Sequence, residues 1–500
     1  LACSGVFYYK RQYLTAYAAT ATTLNQQQQQ PATEFPSSNT FKVNVLPRKD
    51  LPTYRLDEVK KHGKSAERIW VTFQQGVYDI TDFIEGHPGG NKILMAAGGS
   101  IEPYWHLYQQ HENEETYEML EELRIGNLDP RDVDKDDLYA NDPLRHPALQ
   151  VLSQKPFNAE TPSQLLIDHF YTPNPLFFVR SHMPVPKTHR VEIDGIGVKK
   201  PLSFNVDELK KQFEVVSVSA TLQCAGNRRA DMSKEKTVQG LPWKGSAISN
   251  AKWTGVRLRD VLVAAGVDPN DKRIKHVHFE GADHDTEGQH FGSSISFEKA
   301  MKSEVLLAFM MNDEEIPLDH GYPLRLVAPG IAGVRNVKWL KKIRLSDEES
   351  PAFWQQKDYK FTEKINYDAV PAIQEYPVQS AFVIPSENIT VKRGLTYLEV
   401  AGYAWSGGGR GIIRVEVSAD GGNTWQRAEL EQNPDEDLDH MWSWTFFRAT
   451  IQIPPNVKEM DLVCKATDRS YNTQPETARG TWNVRGLLNN AWHHIKVNVV

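Results

Sequence analysis

Cysteine is scarce: Cys3, Cys224 and Cys464 are the only three in 500 residues. So few cannot build a disulfide framework, and the absence of CxxC and CxxCH excludes a zinc ribbon and a covalently attached haem. Cys464 lies in Leu462-Val463-Cys464-Lys465-Ala466, where alternation puts it on the apolar face of a strand, so packing is its expected role. There is no run of 18 or more apolar residues, hence no expected membrane span. Positive charge is not in excess either. Lys and Arg number 57 against 64 Asp and Glu, a net charge of -7 that disfavours nucleic acid and suits a basic protein partner. With 40% hydrophobic and 24% charged residues the composition is that of a globular protein. The length exceeds one core, and at roughly 100 to 200 residues per domain it implies three.

Acidic residues are missing from the start of the chain. The first is Glu34, after Lys10, Arg11 and many Ala, Thr and Tyr, a pattern that resembles an organelle transit segment. The Gln26 to Gln30 run and Pro31-Ala32-Thr33 are low in complexity. Residues 1–45 are therefore read as a transit-like, disordered leader.

Residues 46–130 read as a small α+β unit. Arg68-Ile69-Trp70-Val71-Thr72-Phe73 is a strand, Gln75-Gly76 a turn and Val77-Tyr78-Asp79-Ile80 its partner; Thr81 is the expected N-cap of a short helix ending at Gly86. His87-Pro88-Gly89-Gly90 follows, then a helical stretch from Asn91 to Ala97. Proline and glycine leave the His87 ring projecting from a tight turn, where an imidazole nitrogen can reach a haem iron. With His111 and the helix from Glu114 to Leu120, the stretch resembles a cytochrome b5 domain, which implies a b-type haem held by His87 and His111; His106 competes for the second place. The next residues, DPRDVDKDDLYAND, carry eight charges and little apolar surface. Residues 131–145 are read as an exposed charged linker, a loop fixed against one domain being the alternative.

Residues 146–370 mix short strands with helices. From 371 to 500 the pattern is β: Ile413 to Val417 alternates, Asp420-Gly421-Gly422-Asn423 turns and Thr424-Trp425-Gln426 returns. Trp442, Trp444 and Phe446, then Ile451 and Ile453, are read as one buried face of an immunoglobulin-like sandwich.

The most informative string is Thr221-Leu222-Gln223-Cys224-Ala225-Gly226-Asn227-Arg228-Arg229-Ala230-Asp231-Met232. It sets one cysteine at the end of an apolar run, beside two arginines, and a thiolate is the form that ligates a soft metal. A free core cysteine is the plain alternative. The whole string resembles the molybdenum-binding segment of the sulfite oxidase family. The resemblance extends to Phe177-Phe178-Val179-Arg180-Ser181-His182-Met183-Pro184-Val185-Pro186, where many members carry Asn for Ser181. It continues through His320 to Gly330, Gly333 to Trp339, and Tyr403 to Arg410.

That resemblance implies an α+β multidomain protein: a cytochrome b5-like haem domain, a mixed α/β molybdopterin domain and a C-terminal dimerisation sandwich. It implies that Cys224 binds molybdenum. Phe178, Val179, Arg180, Ser181, His182, Asp283, His320, Arg325, Asn336, Val337 and Lys338 would hold the pterin and its phosphate. Arg180, Arg229, Arg485, Trp243 and Tyr359 would surround sulfite, with Cys224, Tyr359 and Arg180 catalytic; guanidinium suits a compact oxyanion because it is permanently charged and offers paired donors. The implied activity is oxidation of sulfite to sulfate, with electrons passing through haem b to cytochrome c in the mitochondrial intermembrane space. Two other readings stay open. One is an assimilatory-type nitrate reductase, in which methionine typically stands at the place of Arg485 and the haem domain follows the molybdenum domain. The other is a non-catalytic haem electron carrier.

Overall fold

The computed structural model describes residues 45–500 except 89–92, 95, 106–110, 112–113, 134–138, 140–141, 188–189, 286–287, 364–366, 368–369 and 393–394. Cys3, the glutamine run, Gly89-Gly90, Asn91, His106 and much of the charged linker lie outside the described residues. Among those described, no helix is long and apolar enough to cross a membrane.

In the first unit β1 (Trp70–Phe73) and β2 (Gly76–Asp79) pair antiparallel from Trp70↔Asp79 to Phe73↔Gly76. The turn falls at Gln74-Gln75, with Gln74 at φ 50°, one residue earlier than expected because Gly76 is already in register with Phe73. Thr81 is the first residue of a 3-10 helix, Thr81–Gly86, and not its cap. Its hydroxyl is committed elsewhere, donating to Asp79 Oδ1 at 2.5 Å and accepting the Ile69 N–H at 2.8 Å. Helix α1 (Glu114–Glu122) turns Leu120 inward, toward a core with Val71, Phe73, Tyr78 and Ile80, and β3 (Arg124–Leu128) pairs with β2. Val45, read with the leader, is buried in the same core.

The charged stretch has a specific contact at each end. Asp132 is buried and accepts from Arg55 Nε, from Arg55 Nη2 at 3.0 Å and from the Leu56 N–H at 3.1 Å. Arg145 donates to the Asp319 carboxylate through Nε and Nη2 at 2.9 Å each, and to Asp142 at 2.7 Å. A planar guanidinium fork fits a carboxylate in this way, so each end is fixed by a geometrically specific contact.

In the middle region β4 (Phe157–Glu160) pairs with β5 (Val179–Arg180), placing Arg180 opposite Asn158. The valine- and threonine-bearing β6 (Val215–Gln223) pairs with β7 (Ile248–Arg257), from Val215↔Val256 to Gln223↔Ile248. A second sheet is built around β8 (His276–His284), while β9 (Leu306–Met311) flanks β7 and β10 (Leu340–Ser346) flanks β8. Strand β6 delivers Cys224 just past its end and β8 delivers Asp283 near its own, both to one cavity.

The C-terminal region is a two-sheet sandwich. Strand β11 (Tyr397–Trp405) and β12 (Ile412–Ser418) lie in opposite sheets; β13 (Thr445–Gln452) pairs with β11 and β14 (Glu459–Asp468) with β12. Cys464 is fully buried in its core, as its alternation predicts. The aromatic stripe divides, however. Trp444 and Phe446 join the large cluster of the middle region, whereas Ile451 and Ile453 pack with Phe447 inside the sandwich. Positions 446 and 451 differ by an odd number, so on one strand they must face opposite sides. The split makes the sandwich and the middle region share a core, tightened by Trp444 Nε1 donating to the Phe170 carbonyl at 3.0 Å.

Candidate functional site

Cys224 is held by its own backbone. Its N–H donates to the Ala247 carbonyl at 2.9 Å, its carbonyl accepts the Asn227 N–H at 2.9 Å, and Sγ accepts the Gly226 N–H at 3.4 Å. Arg228, at φ 59°, then turns the chain into helix α2 (Arg229–Glu235). The two arginines diverge. Arg228 is buried against the sandwich, donating to the Ser380, Ala491 and Trp492 carbonyls, while Arg229 lies on the cysteine's side.

Cys224 opens into a cavity that also takes in Phe178, Arg180, Ser181, His182, Asp283, His320, Arg325, Asn336, Lys338 and Tyr359. The structure thus brings most of the predicted pterin set together from four separate segments. The side chains of Val179 and Val337 point away, into hydrophobic clusters; for Val179 this follows from its alternation with Arg180 on β5. Trp243, Arg229 and Arg485 stand behind the cavity wall. Trp243 is fully buried beside Leu222 and Leu241. Arg229 donates through Nε to the Arg485 carbonyl and through Nη1 to the Leu241 carbonyl, both at 2.8 Å. Gly226 and Gly240 give it room: a Cβ there would stand 2.5 Å and 2.8 Å from its guanidinium nitrogens, and Gly240 has φ 124°. Arg485 forms a two-point pair with Asp358, Nε and Nη2 each 3.0 Å from a carboxylate oxygen. Of the three predicted arginines, Arg180 lines the cavity; its Nη1 donates to Asn158 Oδ1 at 3.0 Å and to the Ser181 carbonyl at 2.6 Å.

Sequence reasoning missed Asp319, Phe291, Val334 and Trp339 on the cavity wall, and Asp358 as the partner of Arg485. One signal for Asp358 was available: a buried guanidinium needs a counter-charge, and Asp358 adjoins Tyr359.

The electrostatics describe what the cavity is suited to hold. Burial lowers the Arg325 guanidinium to about 9, and burial together with Lys338 and Arg325 lowers His320 to about 3. Burial pushes the Lys338 ammonium down and the Asp283 carboxyl up. Around Arg229 burial is again the main cause, opposed by Cys224 and reinforced by Arg485 and Arg180, and holds it at about 10. Cations crowded into a dry cavity call for an anion such as phosphate. Asp283 Oδ1 is buried with no hydrogen-bond partner among the described residues, an acceptor that suits an N–H donor of a heterocycle. Among the described residues no group of three or more His, Cys, Asp or Glu side chains can hold a metal ion, so a metal on Cys224 must bring ligands of its own, as a pterin dithiolene does. The residues present therefore fit a molybdenum–pterin phosphate.

In the first unit His87 and His111 face each other with ring centroids 6.2 Å apart. Two imidazoles bonded to one iron at about 2 Å, each ring centre roughly 1 Å beyond its nitrogen, need a separation of about 6 Å. His111 Nδ1 donates to the Trp105 carbonyl at 3.3 Å, a contact that fixes the orientation of the ring. These residues fit a haem held on both faces.

Comparison with known proteins adds three family models: "Cytochrome b5-like Heme/Steroid binding domain" over residues 55–129, "Oxidoreductase molybdopterin binding domain" over 181–354 and "Mo-co oxidoreductase dimerisation domain" over 370–500. Mitochondrial sulfite oxidase of Mus musculus is 46% identical over 89% of this chain and 84% of its own. The NADH nitrate reductase of Spinacia oleracea is 37% identical over 76% of this chain and 43% of its own. The crystal structure of sulfane dehydrogenase SoxCD from Paracoccus pantotrophus matches with a TM-score of 0.57 and 28% identity, covering 71% of this chain and 86% of that one. Donor chemistry and matched models agree on a molybdenum–molybdopterin cofactor and a b-type haem, and the chain belongs to the sulfite oxidase family.

Proposed function

We infer that this chain oxidises sulfite to sulfate and passes the electrons through its haem to cytochrome c. The observation that carries this reading is one cysteine, held by backbone contacts, facing a cavity walled with buried cations. Bound to Cys224, the molybdenum cofactor supplies two-electron oxygen-atom transfer; the chain supplies orientation, charge and exclusion of water. In this reading Phe178, Ser181, His182, Asp283, His320, Arg325, Asn336 and Lys338 hold the pterin through side chains, and Val179 and Val337 through their backbone. Arg180 and Tyr359 face sulfite directly. Arg229, Arg485 and Trp243 form the layer behind, whose positive charge favours a dianion. His87 and His111 would hold the haem iron.

The matched dimerisation domain supports a homodimer built through the C-terminal sandwich. The mitochondrial relatives support a mitochondrial location, and we place the chain in the intermembrane space, where cytochrome c is at hand. An electron carrier without catalysis would have no use for a cation-walled cavity around a cysteine.

The deciding experiment is an absorption spectrum of the cofactor-replete protein before and after sulfite. The reduced haem bands should appear; iron that stays ferric, with nitrate reduced in a parallel assay supplied with an electron donor, would favour the reductase reading. His111→Ala should remove the haem spectrum and cytochrome c reduction while sulfite oxidation by a small acceptor of molybdenum electrons persists. An unchanged spectrum would dismiss the axial role.

A further inference from the structure

We propose that Arg145, at the C-terminal end of the charged stretch that leads from the haem-binding unit, balances the Asp319 carboxylate on the cavity wall and so leaves the charge of Lys338 and Arg325 to the bound anion. Retention of the cofactor is thereby tied to the segment that leads to the haem. This rests on the molybdenum–pterin assignment of the cavity and not on which anion is oxidised there.

Asp319 is out of character for its place. A cavity that takes an anion gains nothing from a carboxylate on its wall, yet Asp319 lines it and is buried. What the site uses is the backbone around it. Asp319 lies in the 3-10 helix Leu318–His320, whose three carbonyls accept in turn from Trp339 Nε1 at 2.8 Å, Lys338 Nζ at 2.7 Å and Arg325 Nη1 at 2.7 Å. Gly321, at φ 112°, then passes so close to both cations that a Cβ there would stand 3.0 Å from the Arg325 Cβ and 3.1 Å from that of Lys338. One short turn aims the cations, and its own acidic side chain competes for them. Burial pushes the Lys338 ammonium down, and Asp319 opposes that push more than Asp283 does.

Arg145 answers this carboxylate from behind the cavity wall. Nε and Nη2 each meet a carboxylate oxygen at 2.9 Å, and the guanidinium carbon stands 4.0 Å over the centre of the Phe157 ring. A fork and a carboxylate paired in this way satisfy one another, and a buried carboxylate left without its partner is strongly destabilising. The apolar residues of the segment do not seat it. Among the described residues from 142 to 148 none is buried, and Leu144 is fully exposed. Charge seats it instead, through Asp319 and through Asp142 at 2.7 Å. Without Arg145, the Asp319 charge would draw on Lys338, and the anion would meet a wall poorer by one positive charge.

The test follows molybdenum loss from the purified full chain, as molybdenum per haem against time at a fixed temperature. Arg145→Ala should shorten the half-time about 10-fold. Arg145→Lys, which keeps the charge and loses the fork, should fall between alanine and wild type. Adding Asp319→Asn to Arg145→Ala removes the uncompensated charge and should lengthen the half-time again, by at least about threefold over alanine alone. A contact that serves only as a strut predicts no such gain, because the strut is already broken. The haem spectrum of each variant reports the folding of the first unit and should not change. An alanine variant that keeps molybdenum as wild type does, a lysine variant as poor as alanine, or a double variant no better than alanine would each overturn the proposal. Wild type isolated without molybdenum overturns the assignment of the cavity and this proposal with it; a loaded wild type with any of those three results overturns the proposal alone.

Discussion

Replacing Cys224 with serine should reduce sulfite oxidation by at least about three orders of magnitude, or about 4 kcal/mol of transition-state stabilisation, and leave the haem spectrum as it was. The substitution changes one atom. Backbone contacts fix the residue through Ala247 and Asn227, and the hydrogen bond that Sγ accepts from the Gly226 N–H is one that a hydroxyl oxygen also accepts. The fold therefore has little reason to change. What does change is the donor: sulfur is soft and readily ionised, whereas a serine hydroxyl is neither. The haem lies in a unit with its own core around Phe73 and Tyr78, so its spectrum serves as an internal control for folding. Steady-state oxidation of sulfite, measured with molybdenum content, checks the prediction. Turnover within tenfold of wild type would remove Cys224 from the metal.

The place of Cys224 on the cavity was legible because its signal is local, a strand end, a small-residue turn and two arginines in twelve residues. The pairing of His87 with His111 was legible for a related reason, since the turn after the short helix and the helix following His111 can each be read along the chain. What could not be read was which of several charged residues meet. Arg485 and Asp358 are distant in sequence, as are Arg145 and Asp319, and a sequence alone does not say that their carboxylates and guanidinium forks close on each other. Hydrogen-bonding side chains caused the small errors. Thr81 has the residue type of an N-cap, but Asp79 and Ile69 compete for its hydroxyl and win. The stripe failed on parity beyond the aromatics: Trp444 and Phe446 share one cluster as read, but Ile451 stands an odd number of positions after Phe446 and so faces the other side. Fold class survived these errors because it depends on many alternating positions at once.

Arg485→Met should raise the KM for sulfite by roughly 100-fold, about 3 kcal/mol, and destabilise the protein by about 3 to 5 kcal/mol, because it strands a buried carboxylate. Burial alone would push the Asp358 carboxyl up; Arg485, with the Tyr359 N–H, holds it below the usual carboxylate range. A depressed folded value means that the pair contributes stability above the unfolded carboxyl value of about 4, and that this contribution fades as pH falls through the folded value. Without Arg485 the same burial drives the carboxyl to take up a proton, so the variant's stability should fall as pH rises toward neutrality, where wild type is at its plateau. The two functions of Arg485 can be separated by comparison with Asp358→Asn, which retains the cation and loosens its anchor. If Arg485 acts on the anion through its charge, methionine should raise KM at least about tenfold more than Asp358→Asn does, with thermal unfolding reporting the structural share in both. Equal KM values would reduce Arg485 to a strut for the Tyr359 loop, and the layer of charge behind the cavity would then rest on Arg229, whose guanidinium already lies against the Arg485 carbonyl.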